Sequence, residues 1–345
     1  MKAALYRQFK GAISIEHVPD PTPVDNGVVL KVEATGLCRS DWHGWMGHDN
    51  DIELPHVPGH ELAGTIIELG KTVKGFNIGD RVTVPFVGGC GNCEQCHSGN
   101  QQVCDYQFQP GFTHWGSFAE YVGIHYASEN LVRLPAEITF DTAASLGCRF
   151  ITSYRAVVHQ GKLQKGQWIS IFGCGGVGLS AIMIAKAYDA EVIAIDINDE
   201  ALEWSKKIGA NHLINSTQQD PIEAIRELTN GGAHVSIDAL GNKQTCYDSV
   251  ASLRKRGKHI QVGLLAGSDF EPRLPMQLVV ANELEIIGSH GMQAHAYPEM
   301  LEMIVKRSLD PELLINQRVS LQDACKLLPT MNEFQHPGVN IITEF

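Results

Sequence analysis

Cys90, Cys93, Cys96 and Cys104 stand in the pattern C-x2-C-x2-C-x7-C. Gly88, Gly89, Gly91 and Gly99 surround them and give the backbone the freedom to wrap a small ion. Four thiolates in one short loop suit tetrahedral zinc, and a site closed by four protein ligands is structural. An iron–sulfur cluster also takes four cysteines, so the spacing alone leaves two metals open. The chain holds nine cysteines, an odd number that suits metal or catalytic thiols in a reducing compartment better than a disulfide framework.

At 345 residues the chain has room for about two domains and needs no staples for stability. Lys and Arg number 27 against 39 Asp and Glu, a net charge of −12 that argues against a nucleic-acid binder. Met1–Lys10 has no apolar run of signal-peptide length, and no stretch approaches a membrane span. A cytoplasmic protein is expected.

Residues 27–34, 62–68 and 81–86 alternate apolar and polar side chains between Gly and Pro, as in a compact β-rich domain. From about Asp141 the pattern changes to strands alternating with helices: strands at 168–172, 191–196, 235–238, 259–262 and 284–287, helices at 177–188 and 199–208. Asp199 is the expected N-cap of the second helix. The alternation predicts an α/β fold with a doubly wound parallel sheet. After about Met292 the chain reads as a return to the first domain.

Gly173-Cys174-Gly175-Gly176-Val177-Gly178 follows the apolar strand 168–172 and opens a helix. That is the context in which G-x-G-x-x-G binds a dinucleotide: the glycines permit a tight turn and close approach of the pyrophosphate, and the helix N-terminus supplies free N–H groups. Asp196 ends the next strand, where an acid accepts hydrogen bonds from the adenosine ribose and repels the 2′-phosphate of NADP. No arginine follows in Ile197-Asn198-Asp199-Glu200, so NAD is the predicted cofactor. Cys174 lies inside the loop, where alkylation is expected to block the dinucleotide.

Cys38, His60 and Cys148 are far apart, and each alone is a weak signal. Their contexts are Cys38-Arg39-Ser40-Asp41-Trp42-His43, Pro58-Gly59-His60-Glu61 and Leu146-Gly147-Cys148. With the four-cysteine loop, Gly116–Tyr121 (GSFAEY) and the glycine loop, these make the chain resemble the zinc-containing medium-chain alcohol dehydrogenases over essentially its whole length.

The resemblance implies a GroES-like catalytic domain (1–150 and 291–345) and a Rossmann NAD-binding domain (151–290), with the active site between them. It implies two zinc ions per subunit: a catalytic zinc on Cys38, His60 and Cys148, with Glu61 a conditional ligand, and a structural zinc on Cys90, Cys93, Cys96 and Cys104. Asp41 would orient His60. Ser40 would take the alcohol proton, the nicotinamide ribose would pass it on and His43 would deliver it to solvent. Arg39 would contact the pyrophosphate, Thr152 would pack on the nicotinamide, and Val262 and Gly263 would lie beside the cofactor. Some relatives carry an arginine where Asn340 stands here.

Trp45 and Phe86 match pocket-lining positions, with core packing as the alternative. Arg149 either pairs with Glu61 behind the metal or binds a polar substrate group. The implied reaction is reversible hydride transfer between a primary or secondary alcohol and NAD, with no nucleic-acid or membrane partner. A homo-oligomer is implied, tetramer ahead of dimer. A polyol dehydrogenase of the same superfamily is the nearest alternative, although these often replace the third ligand cysteine with glutamate. A zinc-free quinone reductase would lack both metal sets. A non-catalytic nucleotide-binding protein would have lost at least one of Cys38, His60, Cys148, Ser40 or His43. Cys246 and Cys325 have no assigned role.

Overall fold

The computed structural model describes residues 1–333 and 337–345. Near the N-terminus β1 (Lys2–Tyr6) and β2 (Ile13–His17) pair antiparallel. The first sheet then takes β3 (Val28–Leu37), β4 (Glu61–Leu69), β5 (Arg81–Thr83), β6 (Tyr121–Ile124) and β7 (Val132–Arg133). β3 runs antiparallel to β4 and β6, β4 to β5, and β5 to β7. Val28, Leu30 and Val32 point alternately into one cluster with Leu62, Ile66, Val82, Val122 and Ile124, the period of two that buries one face of a strand. The strand expected to run to Phe86 stops at Thr83, because Pro85 has no N–H for a ladder.

The chain leaves this sheet through a nearly unbroken helical run. Phe140–Ser145 and Ile151–Tyr154 are α-helical, while Leu146–Phe150 and Arg155–Gln160 widen into π-helical turns. Such turns occur often at functional sites. The first of them carries Cys148 and Arg149. Residue 150, the expected limit of the first domain, therefore lies inside a helix rather than in a linker.

Six strands follow: β8 (Trp168–Phe172), β9 (Glu191–Asp196), β10 (His212–Asn215), β11 (Ala233–Asp238), β12 (Leu253–Gln261) and β13 (Glu285–Gly288). They pair parallel in the order β10-β9-β8-β11-β12-β13. Ile169, Ile171, Val192, Ala194, Val235 and Ile237 are buried, as a parallel sheet covered on both faces requires. The order reverses at β8, and ligands of such sheets bind in the crevice beyond the strand ends at that point. The helix Asp199–Ile208 is capped by Asn198 and not by Asp199: Asn198 Oδ1 accepts from the N–H groups of Glu200 and Ala201 at 2.8 and 3.3 Å. Asp199 Oδ1 instead accepts from Asn215 Nδ2 at 2.7 Å.

Two final strands, β14 (Ile315–Ser320) and β15 (Val339–Glu344), return to the first sheet, where β15 pairs antiparallel with β3. Among the described residues no helix is long and apolar enough to cross a membrane.

Candidate functional site

Three separate stretches meet at one buried point. Cys38 precedes the helix Arg39–Trp45, His60 precedes β4, and Cys148 comes from the first π-helical turn. Single donor atoms of Cys38, His60, Glu61 and Cys148 all lie within 4.8 Å of one another. Gly59 adopts φ +106°, and a Cβ there would lie 2.7 Å from the Phe118 backbone nitrogen, so the turn before His60 needs glycine. Gly147 lets the crossover helix close on β4, since a Cβ there would lie 2.9 Å from Glu61 Cα.

Asp41 ties two of the donors together. Its carboxylate accepts from the backbone N–H groups of Cys38 and Gly59, each at 2.9 Å, and contacts His60 Nδ1 at 2.9 Å. With Nδ1 so occupied, His60 presents Nε2, which is buried without a hydrogen-bond partner. A buried orphan nitrogen beside two thiols is a costly arrangement that a bound cation would relieve. Hydrogen bonding from Cys148, with the nearby Arg149 and His60 charges, pulls the Cys38 thiol well below its ordinary value. Burial opposes charge on His60, yet Asp41 and Cys38 carry it well above the usual imidazole range. Two sulfur donors and one nitrogen, with room left for a fourth partner, are the donor set of a catalytic zinc.

Glu61 does not stand free. Arg149 Nε–H donates to its Oε1 at 2.9 Å, the Arg149 backbone N–H reaches the same oxygen at 3.2 Å, and Nη2 bonds Oε2. Both side chains are buried. Burial raises the Glu61 pKa against the opposing charge of Arg149. Of the two readings of Arg149, the one observed is the ion pair. The Arg149 stem also underlies the glycine loop, where a Cβ on Gly176 would come within 2.5 Å of Arg149 Cδ.

The second donor set is the cysteine loop. The sulfurs of Cys90, Cys93, Cys96 and Cys104 lie within 4.8 Å of one another. A tetrahedral zinc with bonds of about 2.3 Å spaces its sulfurs by about 3.8 Å, and Cys93 and Cys104 Sγ are 3.6 Å apart. Backbone N–H groups of Cys90 and Tyr106 each point at Cys104 Sγ at 3.2 Å, while those of Cys96 and Asn92 approach Cys93 and Cys90 Sγ at 3.5 and 3.4 Å. Hydrogen bonding from Cys96 holds the Cys93 thiol down to about 7. Donors aimed at sulfur favour thiolates, the form that binds metal.

The glycine loop lies at the end of β8. Gly173 has φ +93°, and a Cβ on Gly178 would sit 1.8 Å from Gly173 O, so the turn and the packing both require glycine. A Cβ on Gly175 would meet nothing within 4 Å; that space is open for a ligand at the start of the helix Gly176–Ala187. Asp196 Oδ2 accepts from Cys174 N–H at 2.7 Å and Oδ1 from the N–H groups of Ile197 and Asn198 at 2.7 and 3.0 Å. One lone pair of Oδ2 thus remains for a ribose hydroxyl. Val262 and Gly263 flank the same edge, both N–H groups donating to Asp238 O. Cys174 does not offer a reactive thiol: its side chain is buried, and burial pushes its pKa up to about 12. Cys246 and Cys325 are buried thiols as well.

Arg39 lies over the Trp42 ring at 5.4 Å and donates to Asn332 Oδ1 at 2.9 Å. Ser40 is half-buried in the first turn of its helix. Thr152 Oγ1 donates to Cys148 O at 2.7 Å, which ties it to the metal-site turn. Phe86 stands edge-on to His60 with ring centroids 6.2 Å apart. Trp45 packs as a core residue among Tyr6, Leu37, Trp42 and Val57, its indole N–H on Gly11 O at 2.8 Å. The second ring beside His60 is Phe112, at 5.1 Å. Sequence reasoning missed Phe112, because it lies in a loop between motifs and only three-dimensional closure brings it to the site.

The chain matches the family model of the alcohol dehydrogenase GroES-like domain over residues 24–136 and that of the zinc-binding dehydrogenases over 176–306. It is 32% identical to the NAD-dependent alcohol dehydrogenase of Sulfurisphaera tokodaii, with 99% of each chain covered. It is also 32% identical to the sorbitol dehydrogenase of Bacillus subtilis, covering 99% of this chain and 96% of that one. The crystal structure of benzyl alcohol dehydrogenase from Acinetobacter calcoaceticus superposes with a TM-score of 0.92 at 26% identity, covering 100% of this chain and 99% of that one. The fold is that of a GroES-like domain joined to a Rossmann sheet. The chain belongs to the zinc-dependent medium-chain alcohol dehydrogenase family.

Proposed function

We propose that this chain is an NAD-dependent alcohol dehydrogenase acting on primary or secondary alcohols and, in reverse, on the corresponding aldehydes and ketones. The observation that carries the reading is the convergence of Cys38, His60 and Cys148, with His60 Nε2 buried and unpartnered. These three residues would hold the catalytic zinc, and Cys90, Cys93, Cys96 and Cys104 the structural one. When bound, zinc polarises and acidifies the substrate hydroxyl while the nicotinamide accepts the hydride. Asp41 fixes the His60 ring. Ser40 receives the alcohol proton, and His43 carries it outward. Burial and the Arg39 charge push the His43 pKa down to about 4. At neutral pH it is therefore uncharged, and a proton that reaches it is passed on rather than held. Phe86 and Phe112 wall off water beside His60. Arg39, Thr152, Val262 and Gly263 would line the dinucleotide, and residues 1–150 with 291–345 would form the catalytic unit facing a Rossmann unit of 151–290.

An NADH absorbance assay over a panel of alcohols, polyols, aldehydes and ketones tests this reading. Turnover of simple alcohols supports it. A zinc-replete protein inert to the whole panel would overturn it. The sorbitol dehydrogenase relative keeps polyols on the panel, and Cys148 as third donor favours simple alcohols over them.

NAD is the expected cofactor. At an effective dielectric of about 20, like charges about 4 Å apart repel by ~4 kcal/mol, so Asp196 should favour NAD over NADP by about 10³-fold in kcat/KM. Asp196→Asn, which removes the charge and keeps one of the two acceptor oxygens used by the loop, is expected to narrow the ratio. A wild-type preference for NADP would sink this assignment.

The protein is expected to be a homo-oligomer, a tetramer ahead of a dimer. Supporting this, β13 is an open sheet edge, and Phe270, Met276 and Val280 in the stretch preceding it in the chain are exposed at 73%, 53% and 76%. Nine free thiols, six of them in the two metal donor sets, suit a reducing cytoplasm.

A further inference from the structure

The motif that carries Ser40 and His43 is followed by Gly44-Trp45-Met46-Gly47-His48. His43 Nδ1 and His48 Nδ1 lie 2.9 Å apart. Two imidazole nitrogens at that distance share one proton: one ring donates N–H and the other accepts, so their tautomers are interlocked. His43 is half-buried and His48 is exposed. The edge of Trp42 meets both rings, with centroids at 5.0 and 5.8 Å, and the His48 backbone N–H donates to His43 O at 3.0 Å. Two rings of graded exposure are thus held in a fixed order from interior to water.

We propose that His48 is the outer member of a two-histidine proton exit that takes the proton from His43 and releases it to solvent. The proposal rests on the relay role of His43 given above. In the outward step, His43 begins with its proton on Nδ1, hydrogen-bonded to the lone pair of His48 Nδ1, while His48 carries its own on Nε2. A proton arriving at His43 Nε2 forms the imidazolium. The Nδ1 proton then passes to His48 Nδ1, and His48 loses its Nε2 proton to water. One proton enters and one leaves, and the pair ends in the opposite tautomers. From there aldehyde reduction runs the same steps inward.

The surrounding charges favour the outward direction. Arg39, over the same Trp42 ring, and His48 itself both disfavour a cation at His43, while Cys38 lies on the inner side and opposes them. Residues 9 and 10 contribute the Phe9 ring near Gly47 and the Lys10 backbone N–H on Trp45 O at 2.8 Å, and the helix Leu321–Thr330 with the turn Met331–Glu333 packs against the helix Arg39–Trp45, bringing Glu333 and the Arg39 partner Asn332.

His48→Gln separates relay from scaffolding, because the amide still makes a hydrogen bond to His43 but exchanges no proton. Single-turnover NADH formation and proton release, the latter followed with a pH indicator, are measured with saturating alcohol and NAD in weak buffer from pH 6 to 9. In His48→Gln, proton release is expected to slow by about three- to tenfold near pH 7 and to recover with added imidazole, with the KM for alcohol unchanged. His43→Gln is expected to slow the same phase more and to shift the pH profile. If His48→Gln matches wild type at every pH while His43→Gln is slow, the exit through His48 is wrong and the His43 relay stands. If His43→Gln also matches wild type, the relay falls and the exit with it.

Discussion

Cys38→Ala is expected to carry one zinc ion per subunit where the wild type carries two, and to lose about 10³-fold or more in kcat/KM. Cys38 is fully buried between His60 and Cys148, and hydrogen bonding from Cys148 already biases it toward the thiolate. Its loss leaves one thiol and one imidazole, too few for the three protein ligands a catalytic zinc needs. Lewis-acid stabilisation by such an ion is worth several kcal/mol, and ~4 kcal/mol at 1.36 kcal/mol per decade gives about 10³-fold. Metal analysis beside steady-state rates makes the check. NADH binding should survive, because the glycine loop and Asp196 do not touch Cys38. Cys96→Ser should also lose one zinc ion, but from the outer loop, so its main effect should be on thermal stability. A Cys38→Ala protein that keeps both zinc ions and wild-type kcat/KM would place the chemistry elsewhere.

The contrast between these two cysteines marks what a sequence can reveal. The outer loop is legible because its donors lie within 15 residues, so chain geometry alone forces them together. The glycine loop is legible for the same reason: β8, the turn and the helix are consecutive, and each glycine answers a local steric demand. Cys38, His60 and Cys148 became legible only through resemblance, since nothing in their spacing predicts that β3, β4 and the crossover helix converge. Asp41 shows the limit more finely. The motif suggested a partner for His60, but its second bond, to the Cys38 N–H, depends on how the helix begins. Trp45, Phe112 and His48 lay beyond it too. A pocket ring and a core ring have the same sequence signal, and the His43–His48 contact depends on a turn that folds the chain back over Trp42.

The Glu61–Arg149 pair carries the second large effect. Arg149→Leu removes the partner of a carboxylate with no solvent exposure, and breaking a buried pair from one side costs about 3–5 kcal/mol. In a chain of this size that lowers Tm by about 5 °C. Glu61 then has only the residue-149 backbone N–H and must remain charged at high cost or take up a proton. The side chain lost is also the one that lies under Gly176, so a leucine restores some packing but no fork to the carboxylate. Glu61→Gln alone should cost less than Arg149→Leu, because guanidinium can still donate to an amide oxygen. The double variant should cost less than the sum of the two, since each single change strands the other group. Thermal melts of wild type, both single variants and the double variant give this coupling. An Arg149→Leu protein as stable as wild type, with a preference for anionic alcohols abolished by the change, would reverse the assignment and make Arg149 a substrate-binding group.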